Sequence, residues 1–136
     1  MPFAIKARID DPAAQTLTFA EQKSMYGSKH VAEGDTIFVF ASENEGGQGL
    51  LARGVVTSTE TIARKPGRAR QTPRVSLTIR LTELAKRPLG RSEVKHLTDW
   101  DDGQPGTELD FKLYRQATNK VIGLSDGAAA LIERCF

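Results

Sequence analysis

Hydrophobic and polar residues alternate along much of this 136-residue chain with the two-residue period of a half-buried strand. In FAIKARI (3–9), Phe3, Ile5, Ala7 and Ile9 fall on one face and Lys6 and Arg8 on the other. Asp10-Asp11-Pro12 closes this first predicted strand, because proline cannot donate to a strand ladder. QTLTFAEQ (15–22) extends as a second strand, and the SMYGSKH that follows has the composition of a loop. Glu33-Gly34-Asp35 turns the chain into TIFVFAS (36–42), rich in β-branched and aromatic residues. GLLARGVVTSTE (49–60) reads as the next strand, with Gly54 marking a bulge or a close backbone approach. RVSLTIRLTE (74–83) alternates most cleanly, Val75, Leu77, Ile79 and Leu81 inward and Arg74, Ser76, Thr78, Arg80 and Thr82 outward.

KRPLGRSEVKHL (86–97) suits a short helix or turn. ELDFKLYRQ (108–116) and KVIGLS (120–125) are predicted as two more strands, joined tightly through Ala117-Thr118-Asn119, where Asn119 tolerates positive φ. SDGAAALIERC (125–135) is predicted as a helix capped by Ser125 or Asp126. Six or seven strands with little helix predict an α+β, mainly β, fold: a small barrel or curled sheet. Within it, GGQG (46–49) has two meanings. A phosphate-binding glycine loop needs a helix N-terminus immediately after it. LLARGVV follows instead, and no Lys-Ser/Thr pair completes a P-loop, so GGQG is predicted to turn one strand into the next.

Composition narrows the class. The length suits one domain, 1–136, able to bury a core without covalent staples. A single cysteine, Cys135, allows no disulfide within the chain and suits a reducing, cytoplasmic setting. MPFAIKARIDD lacks a signal-peptide pattern, and no apolar run approaches a membrane span, so no membrane partner is expected. Nineteen basic and seventeen acidic residues leave a charge of +2, so distribution matters more than the sum.

That distribution is uneven. ARKPGRARQTPR (63–74) places Arg64, Lys65, Arg68, Arg70 and Arg74 together with no acid among them, broken by Pro66, Gly67 and Pro73. Such a basic loop either neutralises nucleic-acid phosphates or simply stays solvated. In KLYRQATNK (112–120), a strand would put Lys112, Tyr114 and Gln116 on one face and Leu113 and Arg115 on the other. An aromatic between cationic and amide groups suits base stacking, or merely packs at a sheet edge. SMYGSKH offers a similar set in Ser24, Tyr26, Ser28 and Lys29. Trp100, in the polar loop TDWDDGQPG, is either a plug over the core or a lid on a ligand. Asp99, Asp101 and Asp102 miss calcium-loop spacing because Gly103 comes one position early. His30 and His96 are far apart, and no cysteine or carboxylate spacing completes a zinc site. No G-x-S-x-G elbow is present, and Cys135 is read as packed or frayed rather than nucleophilic. No catalytic residues, metal or cofactor are expected from these patterns.

The order of the pieces resembles the PUA-like superfamily, in its EVE, ASCH and YTH-related branches. Gly34-Asp35 matches the turn that enters a strand there, and Ala52-Arg53-Gly54-Val55-Val56 matches the small-x-Gly-x-Val segment of the next strand. RPLGRSEVKHL (87–97) and FKLYRQATNKVIGLSDGAAALI (111–132) resemble the later Pro-Leu segment and the closing strands and helix of EVE-type domains. The likeness covers about residues 30–135; it departs at the opening strand, at SMYGSKH, which lacks the EVE tryptophan loop, and at the absent ASCH signature. It implies a PUA-like barrel binding nucleic acid, RNA or DNA, at one modified or flipped-out base. The pocket is expected in a barrel cleft lined by Ser24, Tyr26, Ser28, Ser42, Trp100 and Tyr114, with Lys29, Lys112, Arg115 and the 64–74 loop on phosphates. A monomer is the default. Two alternatives stand beside it: an ASCH-like ribonuclease or amide hydrolase with Lys29 or Lys112 as base and Glu43 or Glu45 as its partner, or a small-ligand or protein-interaction module on the same barrel.

Overall fold

The fold was determined as a computed structural model that describes residues 2–43, 46–62, 73–90, 108–114 and 119–136, the side chain of Lys29 excepted. The strands are β1 (Phe3–Ala7), β2 (Thr16–Met25), β3 (Thr36–Ala41), β4 (Gly49–Ile62), β5 (Arg74–Leu84) and β6 (Lys120–Gly123). They close into a barrel in the order β1-β3-β4-β5-β2-β6. β1 pairs with β3, and β2 with β6, in parallel; the other neighbours are antiparallel. The architecture is thus the mainly-β barrel that the alternation predicts. A 3-10 turn (Ser28–His30), a helical turn (Asp110–Tyr114) and one α-helix, α1 (Asp126–Glu133), complete the described elements.

The glycine positions explain the strand geometry. Gly46–Gly49 carries β3 into antiparallel β4, with Gly46 and Gly49 at φ 89° and 87°, so GGQG is a turn. A Cβ on Gly54 would stand 2.7 Å from the Arg80 carbonyl, and the β4–β5 register shifts at Arg53/Gly54: both the close approach and the bulge are present. Gly34 lies at φ 95°, and the Asp35 carboxylate accepts from the Ala32 amide at 2.8 Å, closing the turn before β3.

Two hydrophobic cores result. Phe3, Ile5, Leu17, Phe19, Ile37, Val39, Val56, Val75, Leu77, Ile79 and Val121 fill the barrel interior. A second core covers its outer wall, where Ala4, Phe38, Phe40 and Ile122 pack under Leu109, Leu113 and Tyr114 and under Ala128, Ile132 and Cys135. This corrects two expectations. β1 is buried on both faces, Lys6 included, rather than half-buried. And the 108–116 segment is not a strand: its described part, 108–114, is helical.

The reason is a double periodicity. Leu109, Phe111 and Leu113 alternate as a strand would, yet Leu109 and Leu113 are also four apart, as are Glu108 and Lys112. The helical alternative stacks Leu109 and Leu113 on the sheet, both fully buried, and pairs Lys112 with Glu108 at 3.0 Å. Asn119 has the left-handed φ expected of it, 55°, although it follows a helical turn rather than a strand. Ser125 is the cap of α1, its hydroxyl accepting from the Ala128 amide at 3.1 Å. No helix among the described residues is long and apolar enough to cross a membrane.

Candidate functional site

The helical turn Asp110–Tyr114 lies across the outer wall and organises two aromatic corners. At one, β2 ends in Met25 and the chain reverses through Tyr26 (φ 54°) and Gly27 (φ 85°). A tyrosine in the left-handed region is strained, and such strain persists only where surrounding contacts hold it. Ser28 supplies them: its hydroxyl accepts from the Met25 amide at 3.0 Å, donates to the Val121 carbonyl at 2.7 Å and lies 2.7 Å from the Ser24 hydroxyl. The Tyr26 ring meets Phe111 edge-on, with centroids 6.0 Å apart, and Lys112 Nζ sits 5.2 Å from its centroid. Its phenolic oxygen is buried without a hydrogen-bond partner among the described residues. Burial pushes the phenol above its ordinary pKa, which keeps it a proton donor at neutral pH.

Lys112 is aimed by its other bonds. Its ammonium donates to Glu108 and, at 2.8 Å, to the Gly123 carbonyl. Burial alone would raise the Glu108 carboxyl; hydrogen bonds from the Ser125 hydroxyl and amide, together with the hydrogen bond and charge of Lys112, outweigh it and hold the pKa below the usual value. Glu108 is therefore a fixed anion joining the helical turn to the cap of α1.

At the other corner Tyr114 is nearly buried, donates to Glu43 Oε1 at 3.0 Å and carries Lys6 Nζ 4.6 Å from its ring centroid. Lys6 also donates to the Leu113 carbonyl, a favourable place for a cation at the end of a helical turn. Glu43 packs against Gly90, where a Cβ would stand 2.6 Å from its Oε1. Beside it the Ser42 hydroxyl is buried and without a partner among the described residues.

The structure thus groups Tyr26 with Lys112, and places Tyr114 and Ser42 at the other end of the same turn. Ser24 and Ser28 bind each other and the backbone. Side chains fill the barrel interior, and of the aromatics expected around a barrel cleft Tyr26 and Tyr114 lie on the outer wall. The expected shared face of Lys112 and Tyr114 is corrected, since the helical turn sends them to different partners. Arg64, Lys65, Arg68, Arg70, Trp100 and Arg115 lie outside the described residues, as does the side chain of Lys29. Lys112 pairs with Glu108 rather than Glu43, and no group of three or more His, Cys, Asp or Glu among the described residues could hold a metal. Sequence reasoning missed Lys6, Glu108 and Lys120; only Glu108, four before Lys112, carried a local signal.

A separate cleft of about 460 Å³ opens on the far side of the glycine turn, lined by Ile9, Pro12, Ala41, Gly46–Leu51, Leu84 and Ala85. Its described lining residues include neither an aromatic nor a charged side chain.

Against known proteins, the sequence matches no family model and no curated protein. The fold does have relatives. The DUF55 domain of human thymocyte nuclear protein 1 superposes with a TM-score of 0.63 at 12% identity, over 97% of this chain and 96% of that one. The human THYN1 protein, solved in complex with DNA containing 5-methylcytosine, superposes at 0.65 and 13% identity, over 98% and 96%. A protein of Pseudomonas syringae superposes at 0.58 and 14% identity over the full length of both. The chain therefore shares the barrel fold of these proteins, the DUF55 domain among them.

Proposed function

We propose that this chain is a nucleic-acid-binding module that holds one base, modified or flipped out of its stack, at the Tyr26 corner. The observation that carries the reading is the strained Tyr26–Gly27 turn, which holds a ring beside a fixed lysine, its buried, protonated hydroxyl without a partner among the described residues. A ring supplies stacking, about 1–3 kcal/mol per base. The hydroxyl donates to an acceptor on the base edge, and Lys112 adds a second donor. Ser24 and Ser28 serve by holding the turn. Tyr114 and Glu43, bonded to each other, brace the other end of the same helical turn. The arginine-rich stretch between Ile62 and Arg74, with Lys29 and Arg115, contributes phosphate contacts in this reading. The fold likeness to a protein solved with 5-methylcytosine DNA supports the same class of ligand.

The test is a titration of labelled single- and double-stranded DNA and RNA, with cytosine or 5-methylcytosine, at low and moderate salt. Binding at low salt is expected, with Tyr26→Ala weakening it roughly 5- to 100-fold. Tyr26→Phe is expected to keep most affinity and lose discrimination between bases. Absence of binding at low salt, or an unchanged affinity for Tyr26→Ala, contradicts the proposal. The cleft beyond the glycine turn favours a second reading, a small apolar metabolite held there; its volume falls in the usual range for such ligands. Leu51→Trp would fill that cleft and leave oligonucleotide binding intact.

A further inference from the structure

Lys120 is completely buried, and its ammonium has no hydrogen-bond partner among the described residues. Its neighbours deepen the anomaly. In the barrel register Lys6 stands directly opposite Lys120 on β1, Lys23 directly opposite on β2, and Arg74 opposite Lys23 on β5. Residues paired across strands share a face, and Val121, Ser24 and Val75 take the interior face, so all four cations occupy the outer wall. Like charges directly opposite each other destabilise a sheet, and a buried unpaired ammonium costs more still. The unfavourable neighbours and the burial both depress Lys120, to a pKa of about 8, burial being the larger cause. Lys6 is occupied by the Leu113 carbonyl and the Tyr114 ring. Lys23 is half-buried and Arg74 exposed, so the row runs from a covered end to an open one. Arg74 donates to the Glu21 carbonyl at 2.9 Å.

We propose that Lys120, Lys23 and Arg74 form a track for the phosphodiester backbone of a nucleic acid, with Lys120 as the buried cation whose counter-charge the backbone supplies. The proposal rests on the nucleic-acid reading above and extends it. Lys23 lies on β2 three residues before Tyr26, which follows the strand's last residue, so the track leads to the corner where the base is held. Lys6, pinned under Tyr114, closes its inner end.

The slope of log Kd against log salt decides it, measured with a labelled single-stranded oligonucleotide on the full chain. Each phosphate contact contributes about 0.7 to that slope. Lys120→Met, which keeps the length and removes the charge, and Lys23→Gln are each expected to make the slope shallower by roughly that amount. Affinity near 0.1 M salt is expected to fall about fivefold for each. If wild type binds and either folded variant keeps the wild-type slope, the track is overturned while the Tyr26 reading stands. If wild type does not bind at low salt, both readings fall together. If Lys120→Met fails to fold, Lys23→Gln, on the accessible part of the row, decides alone.

Discussion

Lys120 also makes the sharpest prediction for stability. Its folded pKa of about 8 lies below the ordinary 10.5, so folding disfavours its charged form. The full cost applies below pH 8, where both states are protonated, and fades as pH rises towards 10.5. Lys120→Met is therefore expected to raise the melting temperature at pH 7, by an amount corresponding to a few kcal/mol, and by clearly less near pH 10. Thermal denaturation of both proteins across that range checks it; equal gains at both pH values contradict it. Glu108 works in the opposite sense. Its depressed pKa contributes stability above the ordinary carboxylate range that is lost as pH falls through the folded value. Glu108→Gln should flatten the acid side of the stability profile. Only the Glu108 role had a local signal, its spacing of four from Lys112; the alternation in FAIKARI assigned Lys6 to solvent, but its partner Leu113 lies 107 residues away.

Among the elements, the strands were legible because alternation in β1, β3, β4 and β5 matches their inner face. The cover was not. A sheet pattern marks the side that turns inward; it carries no sign that the outer face of β1 and β6 will meet a helical turn and α1. The 108–114 segment was misread for a definite reason, since its apolar spacing satisfies both periods and only the uncovered sheet face selects the helical one. GGQG was read correctly because its discriminating signal, strand residues rather than a helix start, lies in the next few positions. Gly47→Val is expected to cost roughly 2 kcal/mol or more, because its Cβ would sit 2.5 Å from Ala41. Ser125→Ala should cost about 1 kcal/mol or somewhat more, losing both the α1 cap and the bond to Glu108. Urea denaturation measures both.

Across its described residues the molecule is a filled barrel carrying an outer layer, and the proposed base site lies at the seam between them. Arg53 ties that seam at its far side: it bonds Glu83 on β5 and Glu133 on α1, and stands 4.9 Å from the ring of Phe136. Arg53→Met is expected to loosen α1, seen as faster proteolysis of the C-terminus, while leaving the barrel cooperative. The resemblance foretold the barrel; that Tyr26 and Tyr114 sit on its outer wall depends on the covering layer, which no strand pattern announces. The most direct test follows the backbone amides by NMR while a short oligonucleotide is added. Shifts are expected at Tyr26, Gly27, Lys112 and Lys23, with the amides around Gly47 and Leu84 unmoved. Shifts confined to Gly46–Leu51 and Leu84 would place the ligand in the apolar cleft instead and contradict the account.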